Sequence, residues 1–461
     1  MARIEQKGIP TFTVTRKGFA RMVSFGFQAM GLVSGASQYE FPTEMFLPGS
    51  DLTPLKLNMD EIIDELTKWQ PSQKGRVIHK PAIITFEGRD YFDALAKLNT
   101  DFLKSKWGDG LPVLPATEEY VKWLLTGTDL SRDTVLGKIP PTGRIATVES
   151  LAVSLAMTGG RPEYLPVLIG VLKAFLDPLL GAVTMQTTTC SVYPVVIVSG
   201  PISKQIRLNS GYGCLGPDPA HPAGASIGRA LRLVQQNIGG AIPGSGTMAL
   251  FGGPARYTNI VFAEDEDGVP RDWKLLSVER GFPAGTNIVT LHAAATTSNI
   301  NAARASTEKV AVETLNRFAR TMSGNYGNIF GEFNPKSVPG IALFPRGIAG
   351  GLSSLGWSKE KVQSYLWENS KVPWEVIKED SVVFATGEEN LKAYKGKAWP
   401  LTADPKNIMI VVAGGEQSGH AYWMRYGPGP ITPTSAEINL PANWSELLKK
   451  AEEDLGPVPA R

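Results

Sequence analysis

Ile9-Pro-Thr-Phe-Thr-Val-Thr15 is a run of β-branched and aromatic residues and reads as a strand. Arg16 to Gly31 follows as a helix, with Phe19, Met22, Val23, Phe27 and Met30 along one stripe and Gly31 as its stop. A second extended piece, Glu40 to Leu47, and a helix from Met59 to Trp69 complete the opening. Two short strands leave a parallel sheet without neighbours, and such a sheet needs cover on both faces. Residues 1–72 therefore read as the trailing half of a small α/β unit, a truncated Rossmann-like half-domain. The expectation is that the missing strands come from another chain, or that this segment packs on the body of its own protein. The choice bears on function, because chemistry in open α/β sheets gathers at the carboxyl ends of the strands.

Outward from that unit, residues 73–136 read as a linker and helical segment, with a short strand at Ala82 to Phe86 and a helix from Asp90 to Lys106. Trp107-Gly-Asp-Gly-Leu-Pro-Val-Leu-Pro115 is a glycine/proline loop, and Thr117 is placed to cap the next helix. Residues 137–285 form a central glycine-rich α/β body. Thr147 caps one helix there, Arg161 opens another that ends near Leu176, and Val195 to Ser199 is a buried strand. Ser226 to Ile238 is a helix with Ile227, Ala230, Leu231 and Val234 inward and Arg229 and Arg232 elsewhere. Tyr257 to Ala263 is a strand running into Glu264-Asp-Glu-Asp267. Residues 286–461 form a C-terminal α/β region with strands at Asn287 to His292, Gly340 to Phe344 and Asn407 to Ala413, and helices at Ser306 to Met322 and Lys359 to Asn369. Strands and helices alternate, so the class is α/β. No short internal repeat is visible.

The chain of 461 residues exceeds one typical domain, and 43% apolar residues suffice for real cores. A formal charge of +2 gives no electrostatic reason to expect nucleic acid or an anionic membrane. No apolar run approaches the length that spans a bilayer, and Met1-Ala-Arg-Ile-Glu-Gln-Lys7 lacks the apolar core of a signal peptide, so the cytoplasm is the expected compartment. The only cysteines, Cys190 and Cys214, are expected as free thiols in a reducing compartment.

Cys190 ends Thr187-Thr-Thr-Cys190 before a strand, and Cys214 lies in Asn209-Ser-Gly-Tyr-Gly-Cys-Leu-Gly216. Either thiol is a candidate nucleophile or proton shuttle, and a buried structural thiol is the competing reading. Asn209, Ser210, Gly211 and Gly213 belong to a loop whose amides suit an anion or an oxyanion; an ordinary turn is the alternative. Gly414, Gly415, Ser418 and His420 follow a strand and fall at its carboxyl end. Among the four histidines, His420 and then His292 are the candidate acid/bases; His221 is placed to pair with Cys214, and His79 is solvated. Arg144, Arg161, Arg229 and Arg256 are candidate forks for a carboxylate or phosphate. Glu264 to Asp267 read as a base, a hard-metal site or a solvated loop. Asn299, Asn301 and Arg304 read as a polar pocket lining.

Several blocks together resemble the large C-terminal region of the bacterial UGSC family of selenoproteins and their cysteine homologues. They are Trp107 to Pro115, Arg161-Pro-Glu-Tyr-Leu-Pro166, Gly200-Pro-Ile-Ser, Asn209 to Gly216, Ile227-Gly-Arg-Ala-Leu-Arg-Leu233, Asn237-Ile-Gly-Gly-Ala and Val278-Glu-Arg-Gly-Phe282. Glu5-Gln-Lys-Gly-Ile-Pro-Thr11 resembles the segment after the motif that names the family, a selenocysteine or cysteine followed by Gly-Ser-Cys. This chain has no such motif. The resemblance implies a split protein, in which a small companion chain brings the motif and completes the N-terminal domain. It also places Cys190 where relatives often carry histidine.

The expectation is the large subunit of a hetero-oligomeric enzyme. Thiol-based redox, reductive-cleavage or lyase chemistry on a small-molecule substrate would occur at the subunit interface. Two alternatives stand beside it. One is a metal-assisted hydratase, lyase or hydrolase with Cys190, His292 or His420 as ligands of a transition metal. The other is a non-catalytic binding or scaffolding subunit. The cofactor stays open between none beyond reactive thiols and such a metal.

Overall fold

The computed structural model describes residues 1–32, 36–46, 49–70, 83–253, 255–256, 258–324, 338–377, 395–417, 419–426 and 432–458. Ser418 and His79 lie outside the described residues. In the N-terminal unit, β1 (Phe12–Arg16) and β2 (Ser37–Phe41) pair in parallel, with Phe12 opposite Ser37 and Arg16 opposite Phe41. The helix Ala20–Ala29 connects them, and the helix Met59–Lys68 packs on β1. The Glu40 carboxylate accepts from the amides of Gly18 and Ala20, both at 2.9 Å, and so caps the amino end of the first helix. No further strand pairs with β1 or β2 among the described residues. Residues 83–86 belong to no strand, so the short strand expected at Ala82 to Phe86 is a correction over the described residues 83–86.

A hairpin of β3 (Val135–Ile139) and β4 (Arg144–Thr147) leads into the body. Two mixed sheets of four strands follow. The first has the order β12-β7-β5-β6, from β5 (Tyr193–Ser199), β6 (Ile260–Ala263), β7 (Ile288–Ala294) and β12 (Thr434–Glu437). The second has the order β8-β11-β9-β10, from β8 (Thr296–Asn301), β9 (Gly340–Phe344), β10 (Met409–Val412) and β11 (His420–Arg425). The two orders are the same topology. Each sheet has a parallel pair (β5 with β6, β9 with β10), then an antiparallel neighbour (β7, β11), then an antiparallel edge strand. The edge strands are exchanged: the chain leaves β7 through Ala295 to join the second sheet as β8, and leaves β11 to return to the first as β12.

The alternation of side chains along a strand explains the layering. Val195 and Ile197 of β5 meet Ile341 and Leu343 of β9 and Val411 of β10 in a core between the sheets. Val196 and Val198 point the other way, onto the helices Val148–Ala156, Leu165–Leu176 and Ala223–Leu233. Ala342, Phe344, Ile410 and Val412 likewise face the helices Glu308–Gly324, Arg346–Ser354 and Lys359–Asn369. The four layers are therefore helix, sheet, sheet, helix, and doubly covered strands such as Met409-Ile-Val-Val412 are apolar throughout. The carboxyl ends of the parallel pairs are joined: the Asp265 amide donates to Val412 O and the Gly414 amide to Ser210 O, each at 2.8 Å. No helix among the described residues is long and apolar enough to cross a membrane.

Candidate functional site: a cavity with two arginines

The site is built on the helix Ala223–Leu233, which seats Ile227, Ala230 and Leu231 on the first sheet and presents Arg232 at its other end. A π-helical turn, Val234–Ile238, continues it, a distortion that often marks functional positions. The turn brings Gln236 and Asn237 up to the Trp107 loop. Asn237 Oδ1 accepts from the Gly108 amide at 3.0 Å, and the Gln236 amide group donates to Gly108 O. Arg229 forks the Asp109 carboxylate at 2.7 and 2.9 Å and donates to Pro112 O at 2.9 Å. The loop thus clamped has left-handed backbone at Lys106 (φ 57°) and Gly108 (φ 120°). On the far side, Arg256 Nε donates to Val192 O at 2.7 Å and Nη1 to Thr247 Oγ1 at 2.8 Å.

Between these walls lies a cavity of about 620 Å³ bordered by Trp107, Arg232, Gln236, Thr247, Leu250 and Arg256. Arg232 is only 7% exposed. Its Nη2 donates to Gln236 Oε1 at 3.0 Å and Ala241 O at 3.3 Å, both neutral acceptors. Neither Arg232 nor Arg256 has a carboxylate partner among the described residues; Asp109 is held by Arg229. Burial pushes Arg256 down to about 10, and the charge of Arg232 pushes the same way. Burial also lowers Arg232, against a weaker pull from Asp109. Two guanidinium groups thus share one cavity with no ion-paired carboxylate of their own among the described residues.

Cys190 lies behind Arg256. Its amide donates to Thr188 Oγ1 at 3.1 Å, and the Leu250 amide donates to the neighbouring Thr189 O at 3.0 Å. The thiol is half-buried, and burial raises its pKa although the Ser191 amide and Arg256 pull it down. It therefore rests protonated at neutral pH. Cys214 sits in the core between the sheets, 6% exposed, where burial drives its thiol up to about 12. The two thiols are free.

His292, on β7, is fully buried with no hydrogen-bond partner at either ring nitrogen among the described residues. Burial, with the charge of Arg280, pushes it to about 3, so it stays neutral. His420 opens β11 and is exposed; its Nδ1 lies 3.2 Å from Asn299 Nδ2 on β8. Asn299 and Asn301 are strand residues opposite Tyr422 and His420, in a segment expected as a pocket lining. The glycine loops do meet: besides the Gly414 amide on Ser210, the Tyr212 ring lies where a Cβ on Gly415 would approach within 3.3 Å. Three amides of the 209–216 loop bond within the loop itself. Asn209 Oδ1 takes Gly211, Gly211 O takes Cys214 and Gly213 O takes Gly216. His221 pairs with Asp218 at 2.6 Å, where Cys214 was the expected partner.

The acidic run is engaged residue by residue. The Leu276 amide donates to both Glu264 oxygens, Arg346 forks Asp265 at 2.8 and 2.8 Å, Gly200 N donates to Glu266, and Lys204 pairs with Asp267. Arg161 is tied to Glu163 and Asp454. Among the described residues no group of three His, Cys, Asp or Glu side chains is arranged to hold a metal ion. Arg256 was legible as a candidate fork. Arg232 was not, because the helical stripe sets it off the sheet-facing side; its cover comes from loops more distant in sequence. No protein-family model, no curated protein and no solved structure matches this chain.

Proposed function

We propose that this chain is the large subunit of an enzyme acting on a small anionic molecule, whose anionic group lies between Arg232 and Arg256. The observation that carries the reading is the pair of guanidiniums on the wall of one cavity, Arg232 buried and Arg256 half-buried, neither ion-paired to a carboxylate among the described residues, since Asp109 on the same wall is forked by Arg229. A buried cation without a counter-charge is unfavourable, and a bound anion relieves both groups at once. Planar guanidinium forks suit carboxylate and phosphate oxygens. The cavity volume of about 620 Å³ is in the range of small-ligand sites. Cys190 adjoins Arg256 and is this chain's thiol for the chemistry. The open edges of the β1–β2 sheet and the exposed Val14, Ile63 and Leu66 support a UGSC-like companion chain that adds strands and a reactive thiol or selenol.

Calorimetric titration of the purified chain with phosphate, sulfate and citrate tests the reading, with glycerol as the neutral control. Saturable binding of one anion per chain, lost in Arg256→Met, is expected. If no anion binds beyond the effect of ionic strength, or the variant binds like the wild type, the reading is wrong.

A further inference from the structure

The arginine cavity has a neighbour. A groove of about 930 Å³ runs between the helix Tyr91–Ser105 and the body, lined by Ile84, Phe86, Leu95, Leu98, Val121 and Met157. Two side chains, Phe102 and Trp107, line both spaces. They form a single edge-to-face pair with ring centroids 5.6 Å apart. The adjacent turn residues divide in the same way: Gln236 lines the arginine cavity and Asn237 lines the groove. The rim of the arginine cavity is apolar as well, with Leu250 and Phe251 exposed, the latter 94%. A polar anion alone would leave this surface in water, and exposed apolar area of this kind marks a binding surface.

We infer that the ligand is an amphiphilic anion, with its carboxylate or phosphate head between Arg232 and Arg256 and an alkyl or prenyl tail passing Trp107 into the apolar groove. The inference rests on the anion reading above and adds the tail. Continuity decides the occupant. The groove adjoins a cationic cavity across one aromatic pair, so head and tail of one molecule match the two linings in order. The Trp107 loop, clamped through Asp109 and Gly108, holds that junction in place.

The test is a chain-length series titrated calorimetrically below the critical micelle concentration: acetate, butyrate, hexanoate, octanoate and octyl phosphate, with 1-octanol as the headless control. Expected is one site per chain and a Kd falling about fourfold per methylene until the groove is full. Ala94→Trp, which plugs the groove away from the arginines, should flatten the series and leave inorganic phosphate binding unchanged. That unchanged binding also shows the variant to be folded. Equal affinity of short and long anions overturns the tail while the anion reading stands. Octanol binding as tightly as octanoate overturns the head site, and this inference with it. A flat series in a protein that self-associates, with association abolished by Ala94→Trp, means a second copy covers the groove and also overturns the inference.

Discussion

Arg346 and Arg256 belong to the same α/β core and have opposite surroundings. Arg346 crosses from the second half of the body to fork Asp265, whose carboxylate is almost wholly buried at the carboxyl end of the first parallel pair. Among the described residues Arg256 reaches a carbonyl and a hydroxyl, and it shares its cavity with a second cation. The first arrangement is complete within the chain and serves the fold. The second lacks an ion partner among the described residues, and that difference, which residue type alone does not give, is the ground for proposing Arg256 as a binding arginine.

The largest expected effect is at the complete pair. Arg346→Ala leaves the Asp265 carboxylate buried and unpaired, and should lower stability by about 3–5 kcal/mol in urea unfolding. A loss below about 1 kcal/mol would mean that the pair does not tie the two halves together.

A second effect tests the acidic run through pH. Burial raises Glu264 from 4.5 to about 7, against the pull of Lys359 and the Leu276 amide. The folded state therefore holds this proton more tightly. Its stabilisation is full below pH 4.5 and is lost as pH rises to 7, about 3 kcal/mol in all. His292 works in the other direction. Its folded pKa is pushed from 6.5 to about 3, so stability falls as pH drops through that window. Between pH 4.5 and 6.5 the two slopes oppose each other. Glu264→Gln should remove the opposing loss above pH 4.5 and so steepen the rise in stability through the His292 window, which denaturant midpoints measured across pH will show. An unchanged profile would contradict the assignment.

Arg229→Ala releases the Trp107 loop from the helix. It should cost about 1–3 kcal/mol of stability and weaken anion binding together, because Asp109 is left unpaired beside the cavity. Tight anion binding in this variant would show that the clamp does not shape the site. The smallest stability change belongs to the incomplete site. Arg232→Met removes a buried charge without breaking an ion pair, and its unfolding free energy should stay within about 1 kcal/mol of wild type. A loss comparable to that of Arg346→Ala would place Arg232 with the structural arginines.

Local elements were legible where local physics decides them. Thr117 and Thr147 cap helices as expected, their hydroxyls accepting from the Tyr120 and Ser150 amides, and Gly340–Phe344 and Lys359–Asn369 have the expected bounds. The duplicated sheet topology was invisible, because it repeats strand connections and not residues. Its exchanged strands explain the rest: β8 (Thr-Thr-Ser-Asn-Ile-Asn) and β12 (Thr-Ser-Ala-Glu) are edge strands, mostly polar, with little apolar periodicity to mark them. His420 belongs to a strand that was read as part of a glycine loop. Of the candidate site, Arg256 and the Trp107 loop stood out as sequence features, but Arg232 needed the fold, since the cavity it borders is closed by the Trp107 loop and by residues such as Thr247 and Leu250 beyond its own helix.

Selenate-soaked crystals, mapped by anomalous scattering at the selenium edge, address the central claim most directly. The strongest peak should lie between the guanidinium groups of Arg232 and Arg256, with oxygens at hydrogen-bonding distance from both. Selenate bound only elsewhere, with the two arginines paired to carboxylates of the chain, would contradict the account.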